Sequence, residues 1–324
     1  MTSRDRILNF FRQHPGQFVS GQDISDQLNI SRAAVWKQVK SLREIGFHIE
    51  SKHSAGYRLV DTPDLLLAAD LKQNLDIRLI GRSILTFKEI DSTNTRARQL
   101  GHDGAEEGTV VIADRQLSGR GRMGRSWVSP AGVNLYCSIL LRPQIPVQQA
   151  PQLTFLSAVS VAETLHEFCG LSAGVKWPND VLVNGFKIAG LLNEMDAETE
   201  LIRFVVLGMG INLNISAEQL PERQLYPATS VALLTGQPVD RLGFARALLQ
   251  RLDGYYQEFL EQGFAPIRKR WEALCGILNQ RVRVEQGTMT LEGTVVGLDS
   301  DGALRVQSED GNIQRILTGD IRPL

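Results

Sequence analysis

At 324 residues the chain is longer than a usual single domain, so two or three domains are expected, and a 43% hydrophobic content is ample for a core. A formal net charge of −1 excludes a globally basic nucleic-acid binder, yet residues 1–60 hold nine Lys/Arg against five Asp/Glu and form a local basic segment. Three widely spaced cysteines, Cys137, Cys169 and Cys275, fit neither a disulfide framework nor a zinc spacing. They read as small core residues in a reducing compartment. The N-terminus carries no apolar signal core and no segment has the length to span a bilayer, so a cytoplasmic protein without a membrane partner is expected.

Residues 3–13 read as a helix with Ser3 as N-cap, Asp5 in the first turn, and Ile7, Leu8 and Phe11 on one face. Pro15-Gly16 stops it. Ser20 caps a short second helix carrying Ile24 and Leu28, and Asn29-Ile30 turns into a third helix capped by Ser31. There Val35, Val39 and Leu42 recur at i, i+4 and i+7 and face inward. Arg32, Ala33, Trp36, Lys37 and Lys40 are left outward, and with Ser31 they form the face of a recognition helix for a major groove. Gly46 to Leu59, bending at Lys52-His53 and Ala55-Gly56, reads as a two-stranded wing. A protein-docking role for the same fold is the competing reading.

Asp61-Thr62-Pro63-Asp64 is a polar, proline-containing linker, which closes a first domain at 1–62. Beyond it Val110–Ala113 and Leu135–Leu141 read as strands, Gln152–Phe168 as a buried helix, and Phe204–Leu207 as a central strand. A long helix then buries Ala245, Leu248, Leu252, Tyr255 and Phe259 and ends at Gly263. From Arg281, strand alternation broken by Gln286-Gly287, Asp301-Gly302 and Asp310-Gly311 describes a small antiparallel barrel. The domains are therefore 1–62, 63–276 and 277–324.

Gly119-Arg120-Gly121-Arg122-Met123-Gly124-Arg125 alternates glycines and arginines closely enough to cradle a polyphosphate or acyl phosphate. Downstream, Asn184-Gly185 between two apolar runs is the strongest two-residue hairpin signal. It pairs Val183 with Phe186, Leu182 with Lys187, and Asp180 with Ala189, so that Asp180, Leu182 and Lys187 share a face. That juxtaposition is either an ordinary cross-strand ion pair or an anion site.

The Gly119–Arg125 loop, the segment Lys176-Trp177-Pro178-Asn179-Asp180 followed by Lys187, and the helix-turn-helix containing Ser31–Lys37 resemble, in order, the biotin protein ligases. The likeness covers essentially the whole chain and its N-terminal part looks like the bifunctional bacterial type, ligase and biotin operon repressor in one. It implies an α+β fold: a winged helix-turn-helix, a central mixed-sheet ligase domain, and a C-terminal SH3-like β-barrel. It also implies ATP with magnesium, biotin as substrate, biotinyl-5'-AMP as intermediate and corepressor, a biotin carboxyl carrier domain and operator DNA as partners, and a ligand-promoted homodimer.

By that resemblance Ser92, Thr93 and Gln116 bind the ureido head of biotin, with Asn94 either beside them or only a helix cap. Lys187 holds the α-phosphate and acyl oxygen, Arg122 neutralises the attacking carboxylate, and Gly119, Arg120 and Gly121 close over the adenylate. Asp180 positions either magnesium or Lys187. Trp127 and Trp177 are either walls of the site or core, Asn212 is nominated for the nucleotide, and Arg125 either joins the loop's work or faces solvent. Met123 departs from the family pattern, which often has a basic or polar residue there. A lipoate-type ligase and a ligand-sensing repressor without ligase activity are the rival functions.

Overall fold

The computed structural model describes residues 3–62, 64–199, 201–221, 227–286 and 289–324, and the chain divides into two compact units, Met1–Ala69 and Asp70–Leu324. Pro63 of the expected linker and Gly287 of one expected turn lie outside the described residues.

In the first unit α1 (Ser3–Gln13), α2 (Gly21–Leu28) and α3 (Arg32–Glu44) are followed by an antiparallel hairpin of β1 (His48–Lys52) and β2 (Gly56–Asp61). Ser20 accepts from Asp23 N and Ser31 from Ala34 N, so both serines cap as their short hydroxyls allow. Ser3 does not cap: the helical turn already includes it. Asn29 adopts the left-handed conformation (φ 50°) that reverses the chain between α2 and α3. Ile7, Leu8, Phe11, Ile24, Val35, Val39 and Leu42 form the core, closed by Phe47 and Ile49 of the hairpin region. The opposite side of α3 stays in water, with Arg32, Ala33, Lys37 and Lys40 exposed and Trp36 58% accessible. Leu65 and Leu67 also pack on this core, so the unit continues past the polar segment.

After α4 (Ala68–Lys72), the second unit runs through β3 (Ile84–Ile90), α5 (Thr93–His102), β4 (Thr109–Gln116), β5 (Leu135–Leu141), α6 (Gln152–Cys169), β6 (Ala173–Lys176), β7 (Asp180–Val183), β8 (Phe186–Glu198) and β9 (Leu201–Ile211). The strands make one seven-stranded sheet in the order β3-β4-β5-β9-β8-β7-β6, parallel between β3 and β4 and antiparallel elsewhere. α5 crosses over between the parallel pair, and its Ala97 packs with Val111, Leu140, Phe204 and Val206. Cys137 and Cys275 are buried and unpaired, and Cys169 is half-buried. Burial pushes their thiols up, to about 12 for Cys137 and about 11 for the other two, which keeps them unreactive.

α7 (Val231–Thr235) precedes the long α8 (Arg241–Gln262) and α9 (Ala265–Leu274). α8 buries Ala245, Leu248, Leu252 and Phe259 as its spacing requires, but the fully buried tyrosine is Tyr256. Tyr255 is half-buried because its hydroxyl bonds Glu163 and its face receives the Arg270 guanidinium.

The C-terminal strands β10 (Arg281–Gln286), β11 (Met289–Leu298), β12 (Leu304–Gln307), β13 (Ile313–Ile316) and β14 (Asp320–Pro323) form a five-stranded antiparallel sheet in the order β13-β12-β11-β10-β14. It docks on the helices of the same unit: Gln152 Nε2 donates to Ser300 O at 2.9 Å, and Leu298 N donates to Glu272 Oε1 at 3.1 Å. Gly302 must be glycine there, since its φ is +90° and a Cβ would sit 2.4 Å from the Phe155 ring. Trp177, 1% accessible, points its Nε1 at Gly302 O (3.4 Å) and is core, not a ligand wall, because the docked sheet covers it.

The segment before β3 is tied down by one carboxylate. Buried Asp253 of α8 accepts from Arg78 N, Leu79 N and Ile80 N at 2.6, 2.8 and 2.7 Å. Asp253→Ala should leave these donors without a partner and lower the unfolding free energy by about 2–4 kcal/mol, read from urea denaturation midpoints at matched slope.

Candidate functional site

The hairpin that carries the reactive pair turns at Asn184 and Gly185, whose φ values of 51° and 81° suit only a turn with left-handed residues at both central positions. Val183 pairs with Phe186 and Leu182 with Lys187 as the pattern requires. A bulge follows: Val181 then pairs with Ala189, and Asp180 with Gly190 instead of the expected Ala189. The extra residue is Ile188, which is buried, so the bulge lets an apolar side chain enter the core without turning Lys187 away. Lys187 Nζ lies 2.7 Å from Asp180 Oδ1, an ion contact whose angles fall short of a good hydrogen bond, and 5.4 Å from the Trp127 ring centroid.

Alternation along the strands sets the floor. Gly190, Leu192 and Glu194 of β8 pair with Gly210, Gly208 and Val206 of β9, while Ser138 of β5 pairs with Gly208 from the other side. Asn94 lies over bare Gly208, where a Cβ would come within 2.0 Å of its Oδ1. Its Nδ2 donates to Leu192 O (3.1 Å) and Glu194 Oε2 (2.7 Å), and its Oδ1 accepts from Ser138 Oγ (2.6 Å). Asn94 is therefore more than a cap. Trp127 lies over Gly190 and Gly210, whose Cβ atoms would meet the indole at 2.8 and 2.5 Å.

Ser138 Oγ also reaches Thr93 Oγ1 (2.7 Å), and Thr93 Oγ1 reaches Gln116 Oε1 (3.1 Å), an oxygen that accepts from Thr93 N (2.9 Å). Gln116 Nε2 donates to Ser129 Oγ at 3.0 Å, which fixes the amide's orientation. Two hydroxyl protons, on Ser138 and Thr93, thus face three close oxygen–oxygen contacts. The floor is short of donors, so it complements a neutral ligand rich in N–H groups.

The Gly119–Arg125 loop is a small hairpin of its own. Gly121 N donates to Arg125 O (2.7 Å), Trp127 N donates to Gly119 O (2.8 Å), and Arg120 bridges Ser126. Gly119 has no room for a Cβ, which would lie 2.5 Å from Trp127 O. Met123 at the tip has φ 55° and is 78% accessible. Arg120 Nη2 donates to Glu194 Oε2 (3.1 Å), and Arg122 donates to Asn179 Oδ1 (3.3 Å) and Thr318 Oγ1 (3.4 Å). Arg125 is held by Asp320 Oδ2 of β14 at 2.7 Å, because the C-terminal sheet comes up beside the loop. Burial lowers the basicity of Arg122, with Asp320 and Asp180 opposing it. Burial also works against the Asp320 carboxylate, but Arg125, Lys176 and Arg122 leave it below its usual range.

Ser92, Thr93, Asn94, Gln116, Arg120, Gly121, Arg122, Trp127, Asp180 and Lys187 all line one cavity of about 560 Å³, the size of a small-molecule site. Gly119 shapes the loop from behind. Asn212 stays off the wall: it is buried, donates to Thr229 O (3.0 Å) and accepts from Asn134 Nδ2 (3.2 Å). Lys176 and Asn179, which belong to a motif but had no role assigned, line the cavity, as does Asp320, which no motif marks; Ser138 and Glu194, also unmarked, stand behind Asn94. Period-two alternation outward from Gly190 would have put Glu194 on the site face, whereas no local signal brings Asp320 there. The buried Lys176 ammonium falls to about 8, because desolvation outweighs the attraction of Asp180. Among the described residues no three His, Cys, Asp or Glu side chains converge as a metal cage.

Residues 86–212 match the biotin/lipoate A/B protein ligase family, residues 4–58 a helix-turn-helix domain, and residues 277–322 the biotin protein ligase C-terminal domain. The chain is 38% identical over 322 residues to the bifunctional ligase/repressor BirA of Bacillus subtilis, covering 99% of this chain and 98% of that one. It is 32% identical to the protein of the same name from Escherichia coli, over 94% and 93% of the two chains. Among solved structures, the biotin protein ligase from Aquifex aeolicus in complex with biotin and ATP superposes with a TM-score of 0.65 at 32% identity, covering 75% of this chain and 100% of that one.

Lys176 generates a test that needs no ligand. The folded chain sheds this proton near pH 8 while the unfolded chain holds it to about 10.5, so between those values the unfolded state binds more protons and the folded state gains stability as pH rises. Unfolding free energies of the wild type should therefore rise relative to Lys176→Met across that window. Parallel pH profiles for the two proteins would show that the ammonium is not lowered.

Proposed function

The chain belongs to the biotin protein ligases, among full-length relatives that are both ligase and repressor, and on that premise we propose how its residues divide the work. The observation that carries the ligase assignment is one cavity holding an ion-paired Lys187–Asp180 beside a donor-poor floor and an arginine loop. Biotin's carboxylate oxygen attacks the α-phosphorus of ATP, the bond to the bridging oxygen breaks, and pyrophosphate leaves with that electron pair. A neutral lysine amine of a biotin carboxyl carrier domain then adds to the acyl carbon of biotinyl-5'-AMP, AMP leaves, and the amine loses a proton. Charge builds on phosphate oxygens, so positioning and fixed cations do most of the work.

Lys187, steadied by Asp180 and backed by Trp127, serves the α-phosphate and acyl oxygen. Arg122 offsets the attacking carboxylate, and Arg120 with the amides of Gly119 and Gly121 covers the adenylate. Ser92, Thr93, Asn94 and Gln116 take the ureido head. Magnesium would arrive on the polyphosphate and neutralise the departing pyrophosphate; Asp180 is a cavity carboxylate for it, but its contact with Lys187 favours a lysine-positioning role. The donor-poor floor favours biotin, whose ureido ring offers two N–H groups, over lipoate, whose dithiolane offers none. Lys187, Asp180 and the arginines standing together argue against a repressor whose ligase site has decayed.

The first unit binds operator DNA in the cytoplasm through Ser31, Arg32, Ala33, Trp36, Lys37 and Lys40 on α3. One small winged helix reads little sequence, so biotinyl-5'-AMP acts as corepressor by favouring a homodimer that sets two such heads on a two-fold operator.

Biotin, and not lipoate, should drive ATP–pyrophosphate exchange, and biotin with MgATP should add one biotinyl mass to a carrier domain. Lys187→Ala should lower single-turnover adenylate formation roughly 10²–10³-fold while weakening biotin binding far less; collapsed biotin affinity at a near wild-type exchange rate would reverse these roles.

For the repressor half, sedimentation should show dimer only with biotin and MgATP, and Lys37→Ala should reduce the salt slope of operator binding by about 1 per head, about 2 for the dimer. A monomer–dimer equilibrium indifferent to adenylate, with ligand-independent operator affinity, would remove the regulatory role.

A further inference from the structure

The polar contacts of the cavity floor and those of the Gly119–Trp127 loop belong to one connected path. Arg120 Nη2 donates to Glu194 Oε2 at 3.1 Å, and the same oxygen accepts from Asn94 Nδ2 at 2.7 Å. From Asn94 the path continues to Ser138, Thr93 and Gln116, and Gln116 Nε2 donates to Ser129 Oγ. Ser129 Oγ then donates to Trp127 O at 3.0 Å. The path leaves the loop near its first arginine, runs beneath the head-group pocket, and re-enters the loop at its last residue.

Glu194 is the carboxylate on this path, with a side chain 23% accessible, set behind Asn94 by the alternation of β8. An isolated ion pair of that exposure contributes little, because water screens it and two long side chains must be ordered. Here one oxygen is shared between a guanidinium on the loop and an amide resting on Gly208, so moving either donor disturbs the other.

We propose that Glu194 is a positioning residue that latches the Gly119–Trp127 loop to the head-group pocket, coupling occupancy of that pocket to closure of the loop over the adenylate. The inference rests on the ligase reading above. When the head group settles against Thr93, Asn94 and Gln116 it fixes the Asn94 amide, which fixes the Glu194 carboxylate, which holds Arg120 down. Charge matters at 194, since an amide oxygen there can still accept from both Asn94 and Arg120 but gives up the charge-assisted pair with the guanidinium.

The test uses the full-length protein and the near-isosteric Glu194→Gln, with Glu194→Asp, Arg120→Ala and the double variant Glu194→Gln/Arg120→Ala. Three quantities are read: release of biotinyl-5'-AMP formed in situ, biotin affinity without ATP, and trypsin cleavage at the loop arginines in the adenylate complex. Glu194→Gln should release the adenylate about tenfold faster while biotin affinity changes less than about threefold, a split that a general loss of stability does not give. Arg120→Ala, which also removes a side chain that covers the adenylate, should release it at least as fast, and the double variant should release it no faster than Arg120→Ala alone. Trypsin should cut the Glu194→Gln loop faster, and Glu194→Asp should fall between that variant and wild type. Unchanged release in Glu194→Gln, additive effects in the double variant, or a loss confined to biotin affinity would each overturn the latch. A wild-type protein that forms no adenylate would overturn the ligase reading itself, which keeps the two failures distinct.

Discussion

The site depends first on missing side chains. Gly190, Gly208 and Gly210 leave a bare patch on one face of the central sheet, and onto it settle Asn94 and the Trp127 indole. A single Cβ at Gly208 would occupy the space of the Asn94 amide. Over that bare strand the amide meets Ser138, Leu192 and Glu194, so one side chain gathers the polar floor. Trp127, in turn, fixes the exit of the arginine loop and lends its face to Lys187. The glycines therefore act twice, under the Asn94 amide and under the indole that backs the Lys187 ammonium.

Electrostatically the cavity is a basket of cations with three restraining carboxylates. Asp180 holds Lys187, Asp320 holds Arg125 and Glu194 holds Arg120. Lys176, sunk beneath them, gives up part of its basicity to burial. Paired cations of this kind stay in place when no anion is present and exchange partners when one arrives, which spares the reorganisation that free lysines and arginines would require.

Much of this was legible in the sequence because it is local. The Ser20 and Ser31 caps, the Val35, Val39, Leu42 stripe, the Asn184-Gly185 turn and the strand Leu135–Leu141 are decided within a few residues, and each forms as its pattern requires. The misses have non-local causes. The bulge at Ile188 answers to core packing that the hairpin's own residues do not announce. Trp177, left open between ligand wall and core, became core because the C-terminal sheet docks over it, and the same docking gave Arg125 a carboxylate partner while leaving its side chain 54% accessible. Tyr255 and Tyr256 are adjacent on one helix, and which of them is buried depended on Glu163 and Arg270 from neighbouring helices. Asn212 is nominated for the nucleotide on the strength of its motif alone, and its local sequence gives no sign of the bonds it makes to Thr229 O and Asn134 Nδ2.

The Arg125–Asp320 pair joins residues 195 positions apart. On a ribosome the loop emerges long before its counter-ion: at ordinary elongation rates of 5–20 residues per second, Arg125 waits roughly 10–40 s for Asp320. During that interval a run of arginines and glycines is exposed with nothing to fasten its tip, open to proteases and to any polyanion in the cell. The small C-terminal sheet, late in synthesis and modest in size, is thus also the part of the chain that ends the nascent protein's most vulnerable period.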